Sequence, residues 1–128
     1  MTEWRWHNFT KEEMMCKCGC GQSKMNPLFM DVLQTIRTRY GRPMRISSAY
    51  RCPAHNSNVS STGPDGPHTT GKAADILVYG QEAAEVLRLV AYVSEITGVG
   101  VAQKGPRESR FIHIDTIEDG TRPWVWSY

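Results

Sequence analysis

Nowhere in its 128 residues does the chain carry an apolar run of ~18 or more, so it offers no stretch that could span a membrane as a helix. No secretory leader is expected either. Met1-Thr2-Glu3-Trp4-Arg5-Trp6-His7 is polar and aromatic where a signal segment would be apolar, which predicts a chain that starts in the cytoplasm. There is also no excess of one charge. Fifteen Lys and Arg against thirteen Asp and Glu leave a net +2, and the basic residues are scattered. A nucleic-acid binder would gather them into a stripe, so no nucleic-acid partner is expected. Internal repeats and linkers are absent too, which predicts one domain over residues 1–128 and a monomer.

Cysteine is present only four times, at Cys16, Cys18, Cys20 and Cys52. The C-x-C-x-C cluster does not have a standard zinc-finger spacing. It reads first as structural, either buried thiols or a local crosslink to Cys52. A second, structural zinc and a catalytic cysteine are the alternatives.

Hydrophobic residues make up 40% of the chain, enough for a single core. Trp4, Trp6 and Phe9 predict a lid or edge strand. Thr10 and Glu13 have capping-box spacing and predict one or two helical turns. Asn26-Pro27 opens a longer helix in which Phe29, Val32, Leu33, Ile36 and Tyr40 recur at helical spacing, and Gly41-Arg42-Pro43 ends it. Residues 44–49 read as a strand and residues 53–67, rich in Asn, Ser, Gly and Pro, as a long loop. Residues 74–79 read as a strand and residues 81–97 as a helix capped by Gly98. Three further strands are expected at 99–103, 110–116 and 123–126. This order predicts an α+β fold: a small antiparallel sheet with helices packed on one side.

Two segments stand out chemically. His68-Thr69-Thr70-Gly71-Lys72-Ala73-Ala74-Asp75 joins the long loop to a strand, and Gly71 permits a backbone shape that β-branched residues resist. Phe111-Ile112-His113-Ile114-Asp115 is a strand whose alternation puts His113 and Asp115 on one face and the isoleucines on the other. Two imidazoles and a carboxylate from His68, Asp75 and His113 would leave the fourth position of a zinc ion open for water, the arrangement of a catalytic site.

These motifs resemble those of the M15 zinc peptidases, the group of D-Ala-D-Ala carboxypeptidases and phage endolysins. The family pattern Ser-x-His-x-x-Gly-x-Ala-x-Asp, followed by a strand bearing His-x-Asp or x-x-His, is matched from its first His onward by the two segments above. Upstream, Ser47-Ser48-Ala49-Tyr50-Arg51-Cys52-Pro53-Ala54-His55-Asn56 resembles the family's Ser-Gly-Tyr-Arg-x-Pro-x-His-Asn segment, and Met25-Asn26-Pro27-Leu28-Phe29-Met30 its preceding helix start. The resemblance spans residues 9 to 127. It implies one catalytic Zn2+ on His68, Asp75 and His113, with Arg51 holding substrate or stabilising an oxyanion. Tyr50 and His55 read as packing and loop hydrogen bonding.

The chain departs from the pattern twice. Gly66 stands where the family has Ser, and Arg110 stands three residues before His113, where many members carry an acid. The proton acceptor is therefore expected elsewhere, at Asp115 on the face of His113 or at Glu108 on the preceding loop. The resemblance implies a peptidase cutting peptidoglycan stem peptides, released to the cell wall through a phage holin. D-Ala-D-Ala carboxypeptidase, L-Ala-D-Glu endopeptidase and cross-link endopeptidase activities all stay open. A non-catalytic zinc fold of a phage or prophage is the alternative that Arg110 favours.

Overall fold

The computed structural model describes residues 4–128; residues 1–3, the start of the polar N-terminal stretch, lie outside it. Trp4, Trp6 and Phe9 form no strand. Trp6 and Phe9 are buried in the core, and the Trp6 indole N–H donates to Asp31 at 2.9 Å. The capping box forms as the spacing predicts. Thr10 Oγ1 accepts from the Glu13 amide at 3.0 Å, and Glu13 Oε1 accepts from the Thr10 amide at 3.1 Å. The helix it starts, α1, is one turn long, Lys11–Met14.

Helix α2, Pro27–Tyr40, begins and ends as its sequence signals require. Asn26 Oδ1 caps the Phe29 amide at 2.9 Å, and Gly41 takes the left-handed conformation at φ 72°. Strand β1, Arg45–Ser48, follows. The stretch expected to be a loop is instead structured. Helix α3 runs Pro53–Val59, and two 3-10 turns follow at Gly63–Asp65 and Pro67–Thr70. Its polar composition hid it: Asn56 is buried and holds the segment through bonds to Arg51, Thr62 and Gly63, so side-chain polar contacts replace an apolar stripe.

Strand β2, Ala73–Leu77, leads to α4, Gly80–Ala91. The helix stops six residues before the expected end. Tyr92 and Val93 turn back to Leu89 and Val90, yet Val93 and Ile96 still pack on the core, which prolongs the helical spacing of apolar residues past the helix itself. Gly98 is no helix cap; it opens strand β3, Gly98–Ala102. Strands β4, Phe111–Asp115, and β5, Trp124–Ser127, complete the fold.

The α+β class holds. The five strands lie in the order β1-β2-β4-β3-β5. The first three pairings are antiparallel, and β5 adds parallel to β3, so the sheet is mixed. One face carries Ile46, Ala74, Ile76, Ile112 and Ile114, which form the core with Phe29, Met30, Leu33 and Ile36 of α2 and Ala83, Val86 and Val90 of α4. Strand alternation turns the other set of side chains away from these helices. No helix among the described residues is long and apolar enough to cross a membrane.

Candidate metal centre

The register of the sheet builds one row across all five strands. Ser48 pairs with Asp75, Asp75 with His113, His113 with Gly100, and Gly100 with Trp126. Asp75, His113, Gly100 and Trp126 therefore face the side opposite the core, while the register shifts between Ile46 and Ser48. His68 joins from the 3-10 turn Pro67–Thr70, which ends at Gly71 with φ 74°. A side chain at Gly71 would also run into the Lys24 carbonyl, so glycine is required there for both backbone shape and space.

His68, Asp75 and His113 converge. Their ligand atoms lie within 4.8 Å of one another, and all three residues are buried. Asp75 Oδ1 sits 3.2 Å from His68 Nε2 and 3.0 Å from His113 Nδ1. Each imidazole is oriented by its other nitrogen. His68 Nδ1 lies 2.7 Å from the Ala49 carbonyl, and His113 Nε2 lies 2.8 Å from Asp115 Oδ2. A carbonyl and a carboxylate can only accept, so those nitrogens carry the protons. Neutral histidines then present lone pairs at His68 Nε2 and His113 Nδ1, both aimed at a carboxylate that can also only accept. Three acceptors meeting at one point need a cation between them, and a metal ion fits that donor set.

In the metal-free protein a proton on each facing ring nitrogen takes the place of that cation. Burial alone would raise the Asp75 carboxyl, but hydrogen bonds donated by His113 and His68 outweigh it and hold the group well below the ordinary carboxylate range. Burial would likewise raise Asp115; His113 and Arg122 bring it down to about 2. His113 itself, which burial would lower, is raised by its bonds to Asp115 and Asp75.

Asp115 shares the face of His113, as strand alternation predicts, but it lies behind the imidazole. It is fully buried and does not line the cleft. Arg122 grips it with two bonds, Nε to Oδ1 at 2.9 Å and Nη2 to Oδ2 at 2.8 Å. Room for this carboxylate comes from Gly98 on the neighbouring strand, where any Cβ would collide with it. Glu108 is exposed on the 3-10 turn Arg107–Ser109 and is likewise not part of the cleft wall. Arg110 donates from Nε to the Gly105 carbonyl at 3.0 Å.

Arg51 lines the cleft beside the cluster. Its Nη2 is 3.8 Å from Asp75 Oδ2, and its Nη1 donates to Asn56 Oδ1 at 3.1 Å. Tyr50 is buried against Cys16, Cys52 and Met25. His55 lies on α3 and outside the group. Gly66 leaves no space for the family's serine, because a Cβ there would strike Thr62 and the Asn56 amide.

The cleft has a volume of about 1240 Å³ and opens over His68, Asp75 and His113. Its other wall is aromatic and comes from the last strand. Trp126 packs with its ring centroid 5.0 Å from that of His113, and Tyr128 lies 5.0 Å from Phe111. Gly100 makes this approach possible, since a Cβ there would fall 2.6 Å from the Trp126 indole nitrogen.

The sequence matches the family described as Peptidase M15 over residues 7–115, most of the chain. The chain belongs to the peptidase M15 family. No curated protein matches it. M15 peptidases are zinc-dependent, so membership implies a metallopeptidase, and the His68–Asp75–His113 group is one that could hold the ion. The matched span contains the whole row from Ser48 to His113; the aromatic wall of β5 lies beyond it.

Sequence reasoning did not find Arg122, Asn56 or Trp126. Arg122 lies in the irregular stretch before β5 with no motif around it. Asn56 was one polar residue among many. For the glycines of β3 a signal did exist: Gly98-Val99-Gly100-Val101 alternates, with the two valines packed on the core and the two glycines on the site face.

Proposed function

We propose that His68, Asp75 and His113 hold one zinc ion, and that the protein is a peptidase hydrolysing peptidoglycan stem peptides. The observation that carries this reading is the convergence of three acceptor atoms, two of them on imidazoles whose tautomers are set by Ala49 and Asp115. When bound, zinc supplies Lewis acidity toward a carbonyl and makes water a nucleophile near neutral pH. The remaining work falls to the chain. Arg51, held by Asn56 at the cleft edge, offers a planar fork of donors to the oxyanion that develops on the scissile carbonyl. Trp124, Trp126 and Tyr128, which line the same cleft as Arg51, give the peptide or its attached sugar an apolar surface.

Asp115 takes a different role from the proton acceptor expected of it. A base works best with a pKa near the working pH, whereas Asp115 is held at about 2, is fully buried, and is bonded to His113 and Arg122. Its role is to orient His113 and keep its Nδ1 lone pair turned inward. Among the described residues, Asp65 and Asp119 are the carboxylates besides Asp75 that line the cleft, and they are the candidates for the acceptor. An endolysin-type role in cell wall lysis is the biological context we favour, on the strength of family membership.

The test is digestion of purified peptidoglycan with and without a chelator, followed by mass spectrometry of the released muropeptides. Chelator-sensitive release of peptide fragments is expected, and the fragments name the bond cut. Binding without release would instead support the non-catalytic reading, which the placement of both Asp115 and Glu108 off the cleft wall favours.

A further inference from the structure

The four cysteines, separated by as many as 36 residues, meet beside Tyr50, next to Arg51 in the chain. All four Sγ atoms lie within 4.8 Å of one another. Cys16 Sγ is 3.4 Å from Cys18 Sγ, and Cys18 Sγ is 3.7 Å from Cys52 Sγ. A disulfide needs ~2.05 Å. Four sulfurs around a zinc at ~2.3 Å stand ~3.8 Å apart along each tetrahedral edge. The observed spacings match the second geometry.

Chain geometry also argues against crosslinking. If all four cysteines paired, Cys52 would take one of the three clustered residues and leave the other two to bridge each other within a five-residue stretch. The local backbone instead loops round a centre. Gly19 adopts φ 88°, a left-handed conformation that turns the chain between Cys18 and Cys20, and the Cys16 amide closes the loop on the Gln22 carbonyl at 2.8 Å. The Cys52 amide donates to Cys16 Sγ at 3.3 Å, the kind of bond that supports a thiolate.

We propose that Cys16, Cys18, Cys20 and Cys52 form a second metal site, a structural zinc bound by four thiolates. All four positions are taken by protein, so no coordination site is left for water or substrate, which makes the site structural. On binding, each thiol gives up its proton to solvent and each sulfur donates a lone pair to the ion; nothing is oxidised or reduced. Soft thiolate ligands select zinc over magnesium or calcium.

The site has a mechanical consequence. Cys52 follows Arg51 and is the N-cap residue of α3. Within the same segment the Ala49 carbonyl faces His68 Nδ1, the Tyr50 amide donates to the Met14 carbonyl at 3.1 Å, and the Arg51 amide donates to the His68 carbonyl at 3.1 Å. A zinc on the four sulfurs fastens this segment to the loop after α1, and through it braces both His68 and the Arg51 guanidinium.

The experiment uses the full chain, purified under reducing conditions without chelator. Elemental analysis of the parent is expected to give two zinc ions per chain, and His113→Ala is expected to lose one and keep the other. Cobalt loaded into His113→Ala should show the intense near-ultraviolet band of thiolate-to-cobalt charge transfer. The four thiols of the zinc-loaded parent should resist a thiol reagent in the folded state and react once a strong chelator is added. Thiols that all react before chelation, a cobalt complex without the thiolate band, or an intact mass showing disulfides in the reduced preparation would each overturn the proposal. Thiol protection is read on the parent, so the result does not depend on how any variant folds. It also stands apart from the His68–Asp75–His113 reading: if His113→Ala kept both ions, that reading would fail while protected thiols still supported the tetrathiolate site.

Discussion

Asp115→Asn separates two roles for the carboxylate behind His113. In the parent, Asp115 Oδ2 accepts from His113 Nε2 and Arg122 Nη2, both at 2.8 Å, while Oδ1 accepts from Arg122 Nε at 2.9 Å. Asparagine has one acceptor oxygen and one amide nitrogen that only donates. With its oxygen toward His113, the NH2 faces the Arg122 Nε–H, two donors against each other. With its NH2 toward His113, the imidazole must move its proton to Nδ1, the atom that faces the centre. Either way a buried, charge-assisted pair is broken, a change that costs about 3–5 kcal/mol when one partner is removed outright and less when part of the bonding survives. Partners that orient a metal-bound histidine typically contribute about 10–100-fold in affinity, which corresponds to roughly 1.4–2.7 kcal/mol at 1.36 kcal/mol per decade. The expected phenotype is therefore zinc affinity weakened by about that factor, measured by competition with a fluorescent chelator, together with a lower melting temperature. Activity at saturating zinc should largely recover. A variant that binds zinc as tightly as the parent but turns over ~10²–10⁴-fold more slowly would refute this reasoning and restore Asp115 as the proton acceptor.

Three further outcomes follow from the same geometry. Arg51→Lys keeps the charge but loses the fork that spans Asn56 and the cleft; turnover should fall by on the order of a hundredfold with zinc content unchanged, and a near-parental rate would reduce Arg51 to a structural residue. Gly98→Ala places a methyl within 2.5 Å of the Asp115 Cγ on a paired strand, so zinc affinity and melting temperature should drop together although residue 98 touches no proposed ligand; parental values for both would show that the carboxylate can move freely. Asp115 also predicts an acid limb in the stability of the metal-free protein. Its folded pKa, about 2, lies below the ordinary 3.8, so its contribution is full above pH 3.8 and is lost as pH falls toward 2. At about 1.36 kcal/mol per unit that contribution is about 2 kcal/mol, and Asp115→Asn should flatten this part of a melting-temperature-against-pH curve.

What the sequence determined by itself was local. Helix starts were legible because capping is a relation between residues three apart, as at Thr10 with Glu13 and Asn26 with Phe29. The common face of His113 and Asp115 followed from the two-residue period of a strand, and the left-handed turn at Gly71 from the one residue type that adopts it freely. The three candidate ligands and their family were legible for the same reason, since each motif is a short run of adjacent residues. Tertiary structure alone decided how those runs meet. Register placed Asp75 opposite His113, and β5 added in parallel rather than antiparallel fashion, bringing Trp126 beside His113. Only folding brought Arg122 onto Asp115, whose carboxylate also bonds His113, and carried Cys52 to a cluster 32 residues upstream of it at its nearest member, Cys20. Residues 53–67 were misread because the bonds that hold α3 and its turns run through Asn56 to Arg51, Thr62 and Gly63 rather than through an apolar stripe. Periodicity reports where side chains point along one element. The partner each side chain finds on another element is set by packing of the whole chain, and the chemistry of this site depends on those partners.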